Sequence, residues 1–197
     1  MSSQFNLANT ITIARILLIP VFLVLLLSGL PEPYGDIAAA AVFILAAATD
    51  KLDGYVARRS KQITTLGVFL DPLADKLLIA AALIALVSQG RIAAWVAMLI
   101  IGREIAVSVL RIIGASQGVS IPADRYGKLK TVLQIVYVVY VIVPTHRIAD
   151  LIHVSTDVAV IIQWILAGVV VVVTLASGVR YFMNARGVIR LPGSPPR

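Results

Sequence analysis

Residues 50–75 read DKLDGYVARRSKQITTLGVFLDPLAD and carry four carboxylates, Asp50, Asp53, Asp71 and Asp75. The chain around them is 59% hydrophobic and only 14% charged. Soluble domains hold roughly 45–50% apolar residues, so this excess points to a protein built into a bilayer. A carboxylate inside a membrane is costly and marks a functional site by default. Asp50 and Asp53 are three residues apart and Asp71 and Asp75 four apart, so each pair shares a helix face. Four converging carboxylates without cations would repel one another. Hard divalent cations resolve this, because Mg²⁺ and Mn²⁺ prefer oxygen ligands and bind through carboxylates together with substrate phosphates. Two such ions can clamp a phosphoryl group between them.

The rest of the chain reads as an all-α, polytopic integral membrane protein with six transmembrane helices and a short N-terminal interfacial segment. At ~20 residues per span, 197 residues suit one domain of that kind. The spans are expected at about 11–30, 36–58, 66–88, 92–115, 131–143 and 158–183. The fifth ends at Pro144 and can extend backwards through YGKLK. A single membrane domain over 1–190 leaves LPGSPPR, 191–197, as a disordered tail. The start lacks the basic region of a secretory signal, so the first span is expected to stay uncleaved. With no Cys, disulfides and thiolate metal sites are excluded.

The net charge of +7 is explained by topology, and no nucleic-acid partner is expected. Arg58, Arg59 and Lys61 lie between spans two and three; Arg111, Arg125, Lys128 and Lys130 flank spans four and five; Arg180, Arg186, Arg190 and Arg197 close the chain. The opposite loops hold only Arg91 and Arg147, beside Glu32, Asp36, Asp150 and Asp157. The positive-inside rule then places both termini and the acidic motif on the cytoplasmic side of a cell membrane. Asp50 follows Asp36 by fourteen residues, or ~21 Å of helix, so the carboxylates fall in the cytoplasmic third and must line a polar cavity.

Other residues of the motif suit a phosphate ligand. Gly54 and Ala57 permit close approach on or beside the acidic face. Arg58, one turn on, can fork onto a phosphate. Thr64 and Thr65 can cap the next helix, Gly67 precedes Asp71 by a turn, and Pro72 removes one backbone donor. Ordinary packing and capping account for each small residue taken singly. Two bland readings of the carboxylates are salt bridging to Lys51 and Lys76 and an ion or proton path. Adjacent residues point to different helix faces, which weakens the first. A transporter gives no reason for Arg58 or the spaced glycines. His146 and His153, in a far loop, are assigned neither catalysis nor metal; Trp95 and Trp164 read as packing or interfacial aromatics.

The spacing Asp-x2-Asp-Gly-x2-Ala-Arg-x8-Gly-x3-Asp-x3-Asp, from Asp50 to Asp75, resembles the signature of the CDP-alcohol phosphotransferase family at every fixed position. That resemblance implies six transmembrane helices, a homodimer and a cytoplasm-facing active site. It implies transfer of a substituted phosphate from a CDP-linked donor to an alcohol, with release of CMP. It also implies that Asp50, Asp53 and Asp71 bind metal, that Asp75 lies near the metals and acts as general base, and that Gly54, Arg58 and Thr64 contact the CDP part. Ala57 and Gly67, within the same signature, are grouped with this donor site.

The opening FNLANTITIARILLIP resembles that of family members using glycerol 3-phosphate as acceptor, with Ala8 in place of Pro and Ile11 in place of Leu. GREI at 102–105, GKLKT at 127–131 and TLASGVRYF at 174–182 are similar to segments of the same members. The implied substrates are CDP-diacylglycerol and sn-glycerol 3-phosphate, in a protein surrounded by membrane lipids. Sibling acceptors are inositol phosphate, serine and phosphatidylglycerol. A small dianion needs fixed positive charge, and Arg103, Arg111, Lys128, Lys130 and Arg180 lie on spans four to six near the cytoplasmic side. Arg103 has a competing partner in Glu104 or an active-site Asp, and the other cations a competing role as membrane anchors. Asn9 and Thr12 are placed to contact the nucleotide, and Thr10 and Thr12 equally to cap the first helix.

Overall fold

A computed structural model describes residues 7–31, 34–60, 65–117 and 125–186, without the side chains of 7–9, 50–72, 75, 125–128 and 186. The described residues form seven helices and no strand: α1 (Leu7–Leu27), α2 (Tyr34–Ser60), α3 (Thr65–Ser88), α4 (Ala94–Ser116), α5 (Arg125–Ile142), α6 (Thr145–Leu151) and α7 (Thr156–Arg186). Six long helices therefore stand at the six expected places. Tail residues 191–197 lie outside the described residues.

Two details differ from the sequence expectation. First, α1 begins at Leu7, before the expected start at residue 11, so 7–10 continue the helix instead of forming a separate lead-in. Thr10 and Thr12 then sit inside α1, which removes capping as the role of Thr12. Second, the chain does not simply end its fifth span at Pro144. Pro144, with φ −56°, becomes the residue before a new helix, α6, bent 101° from the apolar part of α5. Proline lacks the N–H that would continue α5, yet its fixed φ suits a helix start.

On length and apolarity, two stretches among the described residues qualify as membrane spans, Thr10–Leu27 and Thr156–Ala185, and the bent α5–α6 pair would make a third. Tyr34–Thr49 and Lys76–Ser88 are shorter apolar stretches. The acidic motif shortens the apolar runs of α2 and α3, and α4 is interrupted by Arg103, Glu104 and Arg111.

The helices form two groups. α1 packs on α2 and α3, and α7 packs on α4, α5 and α6; α2 meets α5, and α3 meets both α4 and α5. Phe22 of α1 and Phe43 of α2 are fully buried with ring centroids 5.5 Å apart. Ala39, Ala40, Ala46, Ala82 and Ala85 are buried on α2 and α3. Such small residues let helix backbones come close, where dispersion replaces the hydrophobic effect that lipid does not supply. Leu17, Val21 and Val24 of α1 and Ile161, Ile165 and Val172 of α7 are exposed, as a lipid-facing surface requires.

One end of the bundle is tied by a polar knot. Gly90, with φ +70°, ends α3 in a left-handed turn, in which the Gly90 N–H donates to the Val87 carbonyl and the Arg91 N–H to that of Leu86. This aims Arg91 at Asp36, 2.8 Å away at the start of α2, and at the Ile142 carbonyl at the end of α5. Gln163 of α7 donates to the Arg91 carbonyl and Gln89 to the Leu26 carbonyl of α1, both at 2.7 Å. The ends of α1, α3 and α5 thus meet the starts of α2, α4 and α7. Successive long helices run in alternating directions, and the acidic motif occupies the opposite end.

Candidate active site

The α2–α3 hairpin sets the register of the four carboxylates. Asp50 lies ten residues before the end of α2 at Ser60, and Asp75 ten residues after the start of α3 at Thr65. Asp53 and Asp71 lie seven and six residues from the same ends. With α2 and α3 in contact, the carboxylate-bearing positions fall at two matched heights, about 10 and 15 Å along the helices from the connection. Gly54, Ala57 and Arg58 lie on the last turns of α2 and Gly67 on the first turn of α3; Thr64 lies outside the described residues. The side chains at 50–72 and at 75 also lie outside them. Four carboxylates on two touching helices are residues that could hold Mg²⁺ or Mn²⁺.

Beside this hairpin stands α1. Asn9 is on its first turn, with its side chain outside the described residues, and Thr12 is fully buried. Arg15, one turn on from Thr12, is also fully buried. Its Nε donates to Thr49 Oγ1 at 3.2 Å, and that hydroxyl donates to the Ala46 carbonyl at 2.7 Å. Thr49 immediately precedes Asp50, so a buried guanidinium reaches the helix turn that carries the motif. Sequence reasoning assigned Arg15 no role. A cation within an apolar helix was the available signal.

The predicted acceptor residues divide. Arg103 of α4 and Lys130 of α5 are brought together at Glu104. Arg103 Nη1 lies 3.3 Å from Glu104 Oε1, and the Lys130 ammonium pairs with the same oxygen. Arg103 Nη2 donates to Ser177 Oγ of α7 at 2.8 Å. Side chains of Arg103, Glu104 and Lys130 are 11%, 17% and 7% exposed. Arg111 is exposed and makes no ion pair among the described residues; Arg180 is exposed on α7, three residues beyond Ser177. Lys128 lies on the first turn of α5, with its side chain outside the described residues. The alternative of an Arg103–Glu104 pair is therefore realised. Of the predicted cations whose side chains are described, Arg103 and Lys130 are the two held inside the bundle rather than displayed on its surface.

The remaining singled-out residues lie away from the acidic hairpin or on the outside of the bundle. His146 is exposed on α6, and His153 sits in a left-handed turn after it with φ 55°. Trp95 and Trp164 are about half exposed, at 48% and 55%.

This arrangement sets a hairpin carrying four aspartates in one bundle with a cationic cluster on neighbouring helices. Known proteins of similar sequence point to a family. A Bacillus subtilis protein called CDP-diacylglycerol–glycerol-3-phosphate 3-phosphatidyltransferase is 46% identical over 145 residues, 68% of this chain and 75% of its own length. A probable phosphatidylglycerophosphate synthase of Mycobacterium tuberculosis is 38% identical over 181 residues, 91% of this chain and 81% of its own. A Rickettsia typhi protein with the same name as the Bacillus one is 37% identical over 177 residues, 90% and 95% of the two chains. The sequence profile of the CDP-alcohol phosphatidyltransferases matches residues 5–189, nearly the whole chain, and the protein belongs to that family.

Proposed function

We propose that this protein is a membrane enzyme of phospholipid biosynthesis that transfers the phosphatidyl group of CDP-diacylglycerol to sn-glycerol 3-phosphate, giving phosphatidylglycerophosphate and CMP. The names of the three relatives support this reaction. The single observation that carries the acceptor assignment is the buried pairing of Arg103 and Lys130 on α4 and α5. A phosphomonoester needs such fixed cations, whereas serine does not.

The reading includes six transmembrane helices, α1 to α5 and α7, in one domain over 1–190, with the hairpin facing the cytoplasm of the cell membrane. Alternation of the six long helices supports it. The chain is read as a homodimer. The donor's acyl tails stay in the bilayer, and Asn9, Thr12, Gly54, Ala57, Arg58, Thr64 and Gly67 line the path of its CDP end.

In the chemistry we infer, Asp50, Asp53, Asp71 and Asp75 would hold Mg²⁺ or Mn²⁺, two ions in all. When bound, such ions offset the charge of the pyrophosphate and of the departing CMP. Asp75 takes the proton from the C1 hydroxyl of glycerol 3-phosphate. The freed oxygen bonds to the β-phosphorus, the bond from that phosphorus to the bridging oxygen breaks, and CMP leaves with the bridging oxygen. The basic cluster orients the acceptor by its phosphate, turning the hydroxyl toward the donor.

The test is CMP release by purified protein given CDP-diacylglycerol, Mg²⁺ or Mn²⁺, and one acceptor at a time. Release that depends on glycerol 3-phosphate is expected. Release only with inositol phosphate, serine or phosphatidylglycerol would overturn the acceptor. No release from folded, metal-loaded protein would overturn the transferase reading and favour an ion path.

A further inference from the structure

Two cations that share a low-dielectric interior repel each other, and there the repulsion is poorly screened. Arg103 and Lys130 nevertheless meet at one oxygen of Glu104. One turn on, Ser108 Oγ donates to the Glu104 backbone carbonyl at 2.6 Å. Ser177, which takes Arg103 Nη2, donates in turn to the Thr174 carbonyl at 3.1 Å. Next to it, Gly178 leaves room for the arginine stem, because a Cβ there would stand 3.1 Å from Arg103 Cγ. The buried Arg103 Nε has no hydrogen-bond partner among the described residues. A cation meant only to anchor a helix would reach for water along its stem; these two are drawn inward and fixed from several sides.

We propose that Glu104 is the positioning residue of the acceptor site: its carboxylate holds Arg103 and Lys130 side by side to receive the acceptor's phosphate, and so sets acceptor affinity without touching the acceptor. The inference rests on the acceptor reading above. Glutamate is suited to the task because one anionic oxygen serves both cations at once. Its neighbour in sequence, Arg103, is held by the second hydrogen bond to Ser177, so three helices converge on one ion cluster.

The experiment measures separate KM values for glycerol 3-phosphate and CDP-diacylglycerol, with kcat, for the full chain in detergent micelles. Glu104→Gln should raise the glycerol 3-phosphate KM at least tenfold, while the CDP-diacylglycerol KM stays within about twofold and kcat at saturating acceptor within about threefold. Glu104→Asp, which restores the charge on a shorter stem, should recover part of that loss. Ser177→Ala leaves every charge in place and should raise only the acceptor KM, by about two- to fivefold; with Glu104→Asp it decides the matter if Glu104→Gln does not fold.

An unchanged acceptor KM in Glu104→Gln would overturn the inference. So would a lowered one, which would make Glu104 a competitor of the phosphate. A parallel loss of both KM values and thermal stability, with no rescue by Glu104→Asp, would reduce Glu104 to a structural residue. Arg103→Ala and Lys130→Ala separate the two levels: no change in acceptor KM in either overturns the acceptor site itself, whereas a rise in both with a silent Glu104→Gln overturns only the positioning role.

Discussion

The two ends of the bundle fix their buried polar groups in different ways. At the knotted end, one cation, Arg91, meets one carboxylate, Asp36, and its remaining hydrogen bonds involve main-chain and amide groups. At the hairpin end, among the described residues, one carboxylate, Glu104, serves two cations. The first carboxylate holds a single cation, whereas the second gathers two from neighbouring helices, and a phosphate is suited to join two cations so placed. Burial alone does not separate the two: Asp36 is 8% exposed and Lys130 7%. The number of cations gathered on one carboxylate among the described residues does.

The contrast can be broken most forcefully at the acidic hairpin. Asp75→Asn should lower turnover by about 10²–10⁴-fold, the range of a lost general base, without altering membrane insertion. Near-normal CMP release from this variant would remove Asp75 from its role. Chelation of divalent ions should likewise abolish release, and restoring Mg²⁺ or Mn²⁺ should return it; activity that survives chelation would rule out the metal reading of the four aspartates.

A smaller effect is expected in the basic cluster. Lys130→Ala should raise the KM for glycerol 3-phosphate roughly 10–100-fold, as expected for losing a charge-assisted hydrogen bond worth about 1.5–3 kcal/mol. The same variant should leave the CDP-diacylglycerol KM nearly unchanged; equal loss for both substrates would erase the distinction between the two ends.

At the knotted end the signature should invert. Arg91→Met strands Asp36 and should cost stability, by less than the ~3–5 kcal/mol of a fully buried broken pair because Arg91 is 25% exposed. Thermal unfolding in detergent should register the loss while both KM values hold. An acceptor KM that shifted with Arg91→Met would show that the knot sets the geometry of the far site. The smallest effect is expected of Gly178→Ala. Its Cβ would press the Arg103 stem at 3.1 Å, so the acceptor KM should rise only about two- to threefold. No change would mean that the stem shifts freely.

Much of the molecule was legible without coordinates. Apolar runs broken by PEPYGD, Gln89-Gly90 and Pro144 marked the long helices to within a few residues, because glycine, proline and charge interrupt a span for local reasons. Spacing within 50–75 identified the candidate metal ligands, since helical periodicity puts i, i+3 and i, i+4 on one face. Helix α6 escaped notice because THRIADL is seven residues, too short for a periodic pattern. Arg111 was left open between acceptor contact and membrane anchor: a sequence shows that a span holds an arginine but not which side of the bundle it faces.

By itself, then, the sequence determined the membrane class, the helix count to within one, the orientation expected from loop charge and the acidic motif. These follow from short-range chemistry: apolarity per residue, helix period and backbone breakers. Tertiary structure alone decided which polar groups become partners. Arg15 finds Thr49 across thirty-four positions and Arg103 finds Ser177 across seventy-four. Lys130, one of several candidate cations, is drawn to Glu104. Inside a bundle a polar atom takes whichever partner the packing of separate helices brings within reach, and no local pattern in the chain encodes that meeting.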